Sequence, residues 1–375
     1  MLKARTLLVT GGAGFIGSRF IRHALAVDPA CRVVNLDLLT YAGSEDNLVD
    51  LPDPGRHTLV RGDIRDRPLL DDLLRRHQID TVVHFAAQTH VDRSIVEPAA
   101  FVETNVIGTH ALLEAAVHAW GAPAAPGRRF HHVSTDEVYG DLGPDDPPAR
   151  EDAPYAPSSP YAASKAAADH LVRAYARTYG LPVTISNCTN NYGPFQHPEK
   201  FIPLMVARAA RGEPLPIYGD GLQRRDWVFV EDHVCAIWRI LEDGRPGETY
   251  HVAGTWQGTN LEVARRVCDL LDSLLPPLMG DGRRSLIRFI PDRPGHDRRY
   301  ALDAAKIAGE LGWRSPTAFE AGLERTVRWY LEHEKWLAGR RAAPAFQKWL
   351  DVNYGRRGAA PIPGMRSAER REVDG

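Results

Sequence analysis

The chain has 375 residues, 43% of them hydrophobic, and its 46 Lys and Arg nearly balance its 48 Asp and Glu. That apolar fraction fills one large core or two smaller ones, and the balanced charge, with no basic block, excludes a nucleic-acid backbone as partner. No stretch approaches 18 apolar residues, and MLKARTLLVT is too short for a signal sequence, so the expectation is a cytoplasmic protein with no membrane span.

In chain order, apolar runs at 6–10 (TLLVT), 31–37 (CRVVNLD), 57–63 (HTLVRGD), 81–87 (TVVHFAA), 129–135 (RFHHVST) and 182–187 (PVTISN) predict strands. Between them, segments such as FIGSRFIRHALAVD and AFVETNVIGTHALLEAAVHAW space their apolar residues as helices do. This alternation predicts an α/β fold with a parallel sheet covered on both faces, over about 1–190. The stretch 141–160 carries six prolines and predicts a long functional loop. Beyond 190 the alternation fades into a smaller lobe, mainly 191–345, with a segment near 225–253 returning to the sheet through ETYHVAG (248–254). The final residues, 356–375, are polar and rich in Pro and Gly and are expected to be disordered. Cys31, Cys188, Cys235 and Cys268 show no CxxC spacing and read as core residues, not as a disulfide or zinc framework.

The segment TGGAGFIG (10–17) carries the first chemistry. Gly11, Gly14 and Gly17 follow a strand and open a helix, a setting in which the backbone can approach a pyrophosphate. A plain tight turn would also use such glycines. Asp37 favours the cofactor reading: it ends the next strand, where an acid binds ribose hydroxyls and repels a 2′-phosphate, so NAD is expected over NADP. Asp63 in GDI either approaches the adenine or caps a helix.

The second motif is SSPYAASKAAADHLVRAYARTYG (158–180). Ser159 as N-cap, Pro160 in the first turn and Gly180 at the end frame a helix. Tyr161 and Lys165 lie four apart on one face. A tyrosine, with pKa about 10, needs a neighbouring cation to act as a base near neutrality. Thr135, ending the preceding strand, can bond the same substrate hydroxyl. After it come two adjacent acids, Asp136 and Glu137, which either cap the loop or serve as an acid–base pair. His90 and His296 lack a third ligand at metal spacing, so no metal is expected.

TGGAGFIG, Thr135 and YAASK resemble the extended short-chain dehydrogenase/reductase superfamily. LTYAG (39–43), AAQTHVDRSI (86–95), STDEVYG, NNYGPFQHPEKFIPLM (190–205), YGDGLQRRDWVFVEDH (218–233) and RPGHDRRYALD (293–303) resemble the dTDP-glucose 4,6-dehydratases over about residues 5–335. The resemblance implies a Rossmann-type doubly wound sheet with a C-terminal substrate lobe. It also implies a homodimer built on helices around 98–120 and 160–179, and conversion of dTDP-glucose to the 4-keto-6-deoxy sugar. In that chemistry Asp136 is the acid at the C6 oxygen, Glu137 the base at C5 and Tyr161 the base at C4.

For NAD it implies Phe15, Ile16, Asp37, Leu38, Leu39, Thr40, Asp63, Ile64, Phe85, Ala86, Ala87, Gln88, Thr89, Thr104, Tyr161, Lys165 and Asn191. For the nucleotide sugar it implies Thr89, Thr135, Asn190, Lys200, Phe201, Pro216, Ile217, Tyr218, Arg225, Asn260, Asp292, Arg293, Pro294, Gly295 and His296. Arg225 and Arg293 would offer donor forks to a diphosphate, and Tyr218 or a neighbour would stack on the base. Gln88-Thr89, Leu38 and the loop 252–263 depart from the family's pattern, the last bearing on nucleotide choice. An epimerase or decarboxylase would share Tyr161 and Lys165 without needing Asp136 and Glu137. A dehydratase that leaves a 5,6-ene would share them all, and a non-catalytic NAD sensor would need none of the five.

Overall fold

The computed structural model describes residues 5–278 and 282–355. The expected tail at 356–375 lies outside the described residues.

The first half builds the sheet. In chain order come β1 (Thr6–Thr10), α1 (Phe15–Val27), β2 (Arg32–Asp37), β3 (His57–Arg61), α2 (Arg67–Arg76) and β4 (Thr81–His84). Next are α3 (Val91–Val96), α4 (Pro98–Phe101), α5 (Thr109–Trp120), β5 (Arg129–Thr135), α6 (Pro160–Tyr179) and β6 (Val183–Cys188). The second half supplies β7 (Asn190–Tyr192), α7 (Phe201–Ala209), β8 (Leu215–Tyr218), β9 (Arg224–Phe229), α8 (Val230–Asp243), β10 (Thr249–Val252) and β11 (Trp256–Thr259). It ends with α9 (Asn260–Leu274), β12 (Ile287–Ile290), α10 (Ala305–Leu311), α11 (Phe319–Glu332), α12 (Glu334–Ala342) and α13 (Pro344–Leu350).

Seven strands form one sheet in the order β10-β6-β5-β4-β1-β2-β3, every pair parallel. Strands buried on both faces read as continuous apolar runs instead of alternating ones, as Leu7, Leu8 and Val9 do in β1. One face packs Phe20, Ile21 and Leu25 of α1 with Val234, Ile237 and Trp238 of α8. The other packs Leu70 and Leu73 of α2, Leu112 of α5 and Val172 of α6. The chain reverses its direction of travel across the sheet between β1 and β4, and a crevice opens there at the carboxyl ends. The strand ETYHVAG does return: β10 pairs with β6.

The predicted strands at 57–63 and 81–87 stop early, at Arg61 and His84. Their last residues, Gly62, Asp63 and Phe85–Ala87, turn out of the sheet to line the crevice. Helix α6 keeps its predicted frame. Ser159 accepts from the Ala162 N–H, Pro160 fills the first turn, and Gly180 closes the helix at φ 65°.

Two small sheets, β11-β9-β7 and β12-β8, surround a second core of Tyr192, Met205, Trp227, Val267, Phe319 and Tyr330. Helices α12 and α13 cover it through Leu337, Phe346 and Trp349, so the segment after 345, to which the sequence assigns no part, is folded as far as 355. No helix among the described residues is long and apolar enough to cross a membrane.

Candidate active site

The crevice runs along the carboxyl ends of β1, β2, β4, β5 and β6. Its floor is the turn after β1. Gly11 sits at φ 70°, and a Cβ there would stand 2.7 Å from the Ala86 nitrogen; at Gly17 it would stand 2.4 Å from the Gly11 carbonyl. Only glycine permits that approach. Asp37 is buried, accepting from the N–H groups of Ala13 (2.9 Å) and Leu39 (2.8 Å). Burial raises its carboxyl above the usual range despite those bonds. Asp63 accepts from the Arg65 N–H and pairs with the Arg65 guanidinium (2.8 Å) at the crevice, and the cap of α2 is Asp66, so Asp63 does not cap that helix.

Gly11, Gly14, Phe15, Ile16, Gly17, Asp37, Leu38, Thr40, Asp63, Ile64, Phe85 to Thr89, Thr104, Tyr161, Lys165 and Asn191 all line this one cleft. Leu39, in left-handed backbone at φ 55°, does not. Asn105 was not foreseen. Buried behind the cleft, it accepts from the Gln88 N–H and donates to the Gln88 carbonyl and to Ser164, fixing the wall at Gln88. Helix-like spacing in ETNVIG hid it, since the backbone there is a π-helical turn.

Thr135, Asp136 and Glu137 close the deep end, where β5 stops in a single 3₁₀ turn. Thr135 Oγ1 donates to Asp136 Oδ1 (3.2 Å) and accepts from the Glu137 N–H (3.3 Å). Asp136 Oδ2 is buried without a protein partner, an orphan that calls for a ligand group. Burial, then the charge of Glu137, raise Asp136 well above the carboxylate range. Burial raises Glu137 too, opposed by the charges of Arg293, Arg225 and Lys200. Tyr161 rises well above its ordinary value through burial and the Glu137 charge, opposed by a hydrogen bond with Thr135. Lys165 donates to the Val133 carbonyl (2.8 Å) and is lowered by burial to about 8.

The residues expected on the sugar side divide. Thr135, Asn190 and Lys200 line the cleft, and Lys200 donates to the Thr89 carbonyl (2.8 Å). Glu199 lines it too, held by Arg93 (3.2 Å); it stands in the motif at 190–205, yet nothing in the sequence separates it from a surface acid. Tyr218, beside Pro216 and Ile217 on β8, bonds Asp92 (3.2 Å) and meets the His296 ring edge-on. Asp292 accepts from His296 (2.6 Å) and Gln223 (3.0 Å), and Pro294 and Gly295 form the turn between.

Arg225 differs from its expected place as an open fork. It is buried, its guanidinium donating to the carbonyls of Arg224, Asp297 and Arg298. Its charge reaches Asp136 and Glu137, while its donors hold loops together. Phe201 packs against Trp227 in the second core, and Asn260 opens α9 with its N–H on the Gln223 carbonyl; neither lines the cleft. His90 packs edge-on against Trp349. Among the described residues no His, Cys, Asp or Glu group is arranged to hold a metal.

A doubly wound sheet, a glycine turn with a buried acid on the next strand, and a Tyr and Lys one helical turn apart define a Rossmann-fold enzyme of the extended short-chain dehydrogenase/reductase type. The family model for GDP-mannose 4,6 dehydratase matches residues 8–326. dTDP-glucose 4,6-dehydratase 1 of Escherichia coli (strain K12) is 49% identical over 359 residues, 93% of this chain and 98% of the relative. dTDP-glucose 4,6-dehydratase of Xanthomonas campestris pv. campestris (strain B100) is 55% identical over 337 residues, 89% and 95% of the two chains. A solved dTDP-glucose 4,6-dehydratase from Streptomyces venezuelae, with NAD and TYD bound, is 49% identical, with TM-score 0.82 over 89% of this chain and 99% of that one. UDP-glucose 4-epimerase from Thermotoga maritima, with UDP-glucose, shares the fold at 29% identity, TM-score 0.76, over 87% and 99%. The chain belongs to the dTDP-glucose 4,6-dehydratase family.

Proposed function

We propose that this chain is an NAD-dependent hydro-lyase that converts dTDP-glucose to dTDP-4-keto-6-deoxyglucose and water. The observation that carries the reading is the pair of adjacent acids at the end of β5, both lining the cleft, with Asp136 Oδ2 buried and unbonded while the charges of Arg293, Arg225 and Lys200 bear on Glu137. Two carboxyls whose surroundings push their proton affinities apart form an acid and a base. An epimerase has no use for such a pair.

Gly11, Gly14, Gly17 and the start of α1 would hold the pyrophosphate of NAD, and Asp37 its ribose hydroxyls. NAD supplies a reversible store for the hydrogen that leaves C4 and returns to C6. Tyr161, bonded to Thr135, takes the O4 proton. Its phenolate is disfavoured by burial and Glu137, so a cation beside it is required, which Lys165 and the oxidised cofactor provide. With C4 a carbonyl, the C5 hydrogen is acidic; Glu137 removes it while Asp136 protonates the departing O6. Lys200 in the cleft and Arg293, whose charges both oppose the rise of Glu137, would bind the diphosphate of the sugar.

Exposed Val96, Val102 and Ile107 on the turns around α3 to α5 support a homodimer through that face. Free thiols at all four cysteines agree with a cytoplasmic site of action. The test is turnover of dTDP-, UDP-, GDP- and CDP-glucose and of UDP-N-acetylglucosamine by the purified protein, products read by mass spectrometry. Loss of one water from dTDP-glucose, far faster than from the others, is expected. Turnover of dTDP-glucose without mass change would make the protein an epimerase.

A further inference from the structure

Behind the cleft lies a buried charge that the mechanism above leaves without a task. Helix α6 sets Tyr161, Lys165 and Asp169 at successive turns of one face. Asp169 is wholly buried. Its Oδ2 accepts from Ser134 Oγ (2.9 Å), Tyr155 OH (2.8 Å) and Asn187 Nδ2 (3.4 Å). Its Oδ1 lies 3.2 Å from His132 Nε2 on β5. That same nitrogen is 3.4 Å from Lys165 Nζ. A lone buried ionised carboxylate is costly unless it is bonded or faces a cation, and here an imidazole stands between it and one.

Resting on the proposed role of Lys165, we propose that Asp169 is the counter-charge of Lys165, acting through the His132 ring, and that it keeps the lysine ammonium charged at working pH. The relayed geometry has a reason. A direct Lys165–Asp169 pair would draw Nζ down the helix, away from the cleft, whereas its bond to the Val133 carbonyl keeps it apart from Asp169, with the His132 ring between them. Asp169 is thus a positioning residue.

Groups of both signs face this pair. Toward Lys165 come the acids Asp169 on α6 and Cys188 on β6, which favour its charge, and His132 on β5 and His84 on β4, which would oppose it if protonated. Toward Asp169 come His132, Lys165 and Arg173, with Tyr155 and Tyr139 from the loop side. Burial would raise Asp169, but the His132 contact, the Lys165 charge and the Tyr155 bond outweigh it and leave the carboxyl below its usual range. Buried His132 is lowered to about 4 and so is neutral near pH 7. Burial lowers Lys165, and Asp169 is the first charge that opposes this.

The test is the pH profile of kcat/KM for dTDP-glucose. Lys165 must be protonated, so activity is lost as pH rises through its pKa. Asp169→Asn keeps the shape and removes the charge, and should move that alkaline limb to lower pH by about one unit or more, with activity restored on acidification. Tyr155→Phe removes one bond but no charge, and should leave the limb in place. His132→Gln should move it in the Asp169→Asn direction, and serves if Asp169→Asn fails to fold; retained NAD in the purified protein reports folding. An alkaline limb unmoved in folded Asp169→Asn or His132→Gln, with a rate lowered equally at every pH, would overturn the proposal. If Lys165→Met kept full turnover, the reading of the site itself would fall, a separate result.

Discussion

The two walls of the cleft are assembled in opposite ways. On the cofactor side, Gly11 to Gly17, Asp37, Asp63 and Phe85 to Thr89 each follow directly from a strand of one sheet, so a short stretch of chain carries both the shape and the chemistry. On the sugar side, Lys200 before α7, Tyr218 at the end of β8, and Arg293 and His296 in the loop after β12 come from distant stretches of chain, brought together by bonds such as Tyr218 to Asp92 and Arg225 to three distant or adjacent carbonyls. The first wall is a property of local sequence placed on a rigid edge. The second exists only once the small core of Tyr192, Trp227 and Phe319 has formed.

The sharpest way to break this contrast is at the floor of the first wall. Gly17→Val pushes side-chain atoms into the Gly11 carbonyl, already 2.4 Å from a bare Cβ. It should abolish retained NAD, measured by absorbance and mass spectrometry of the purified protein, while circular dichroism stays near wild type. Where the walls meet, Asp136→Asn and Glu137→Gln should each lower kcat by roughly 10²- to 10⁴-fold with NAD still bound. Rapid-mixing absorbance should show the reduced cofactor accumulating in both, because C4 oxidation precedes the step they block.

Acid probes both walls together. His90 and His197 on the sugar side, and His132 on β5 and His251 on β10, are buried with pKa values lowered from 6.5 to about 4. The unfolded chain therefore binds more protons than the folded one between those values, so stability falls as pH drops from about 6.5 toward 4, by up to a few kcal/mol per histidine. Urea unfolding at pH 7.5 and pH 5 should show this loss; equal midpoints would contradict the neutral, buried assignment.

The gentlest test separates two arginines of the second wall. Arg293→Gln should raise KM for the nucleotide sugar about tenfold with little change in Tm, consistent with loss of one charged hydrogen bond. Arg225→Gln should lower Tm, since its donors hold the Arg224, Asp297 and Arg298 carbonyls. The reverse pattern would return Arg225 to the role of an open fork.

This difference between walls also explains what the sequence disclosed. Asp37, Ser159, Gly180 and the Tyr161–Lys165 spacing obey short-range rules of strand ends, caps and helical periodicity, and they fall where those rules place them. The predicted strands overrun to Asp63 and Ala87 because an apolar run looks the same whether it stays in the sheet or turns into the cleft. Arg225 reads as a surface fork because its carbonyl partners lie beyond residue 296 or on the preceding residue, and no local pattern reports a tertiary bond. Asp169 left one trace, an acid on the buried Tyr161–Lys165 stripe of an Ala-rich helix, but its meaning needed His132 from the neighbouring strand.

The central claim is that one site oxidises C4, removes water across C5 and C6, and returns the same hydrogen to C6. Its most direct test is NMR and mass spectrometry of the product formed from dTDP-glucose deuterated at C4, with a parallel reaction of unlabelled substrate in deuterated water. Deuterium carried from C4 to C6 in the first reaction, and solvent deuterium at C5 in the second, with NAD unchanged in amount, is the predicted result. Label retained at C4 with the C6 oxygen still in place would contradict it.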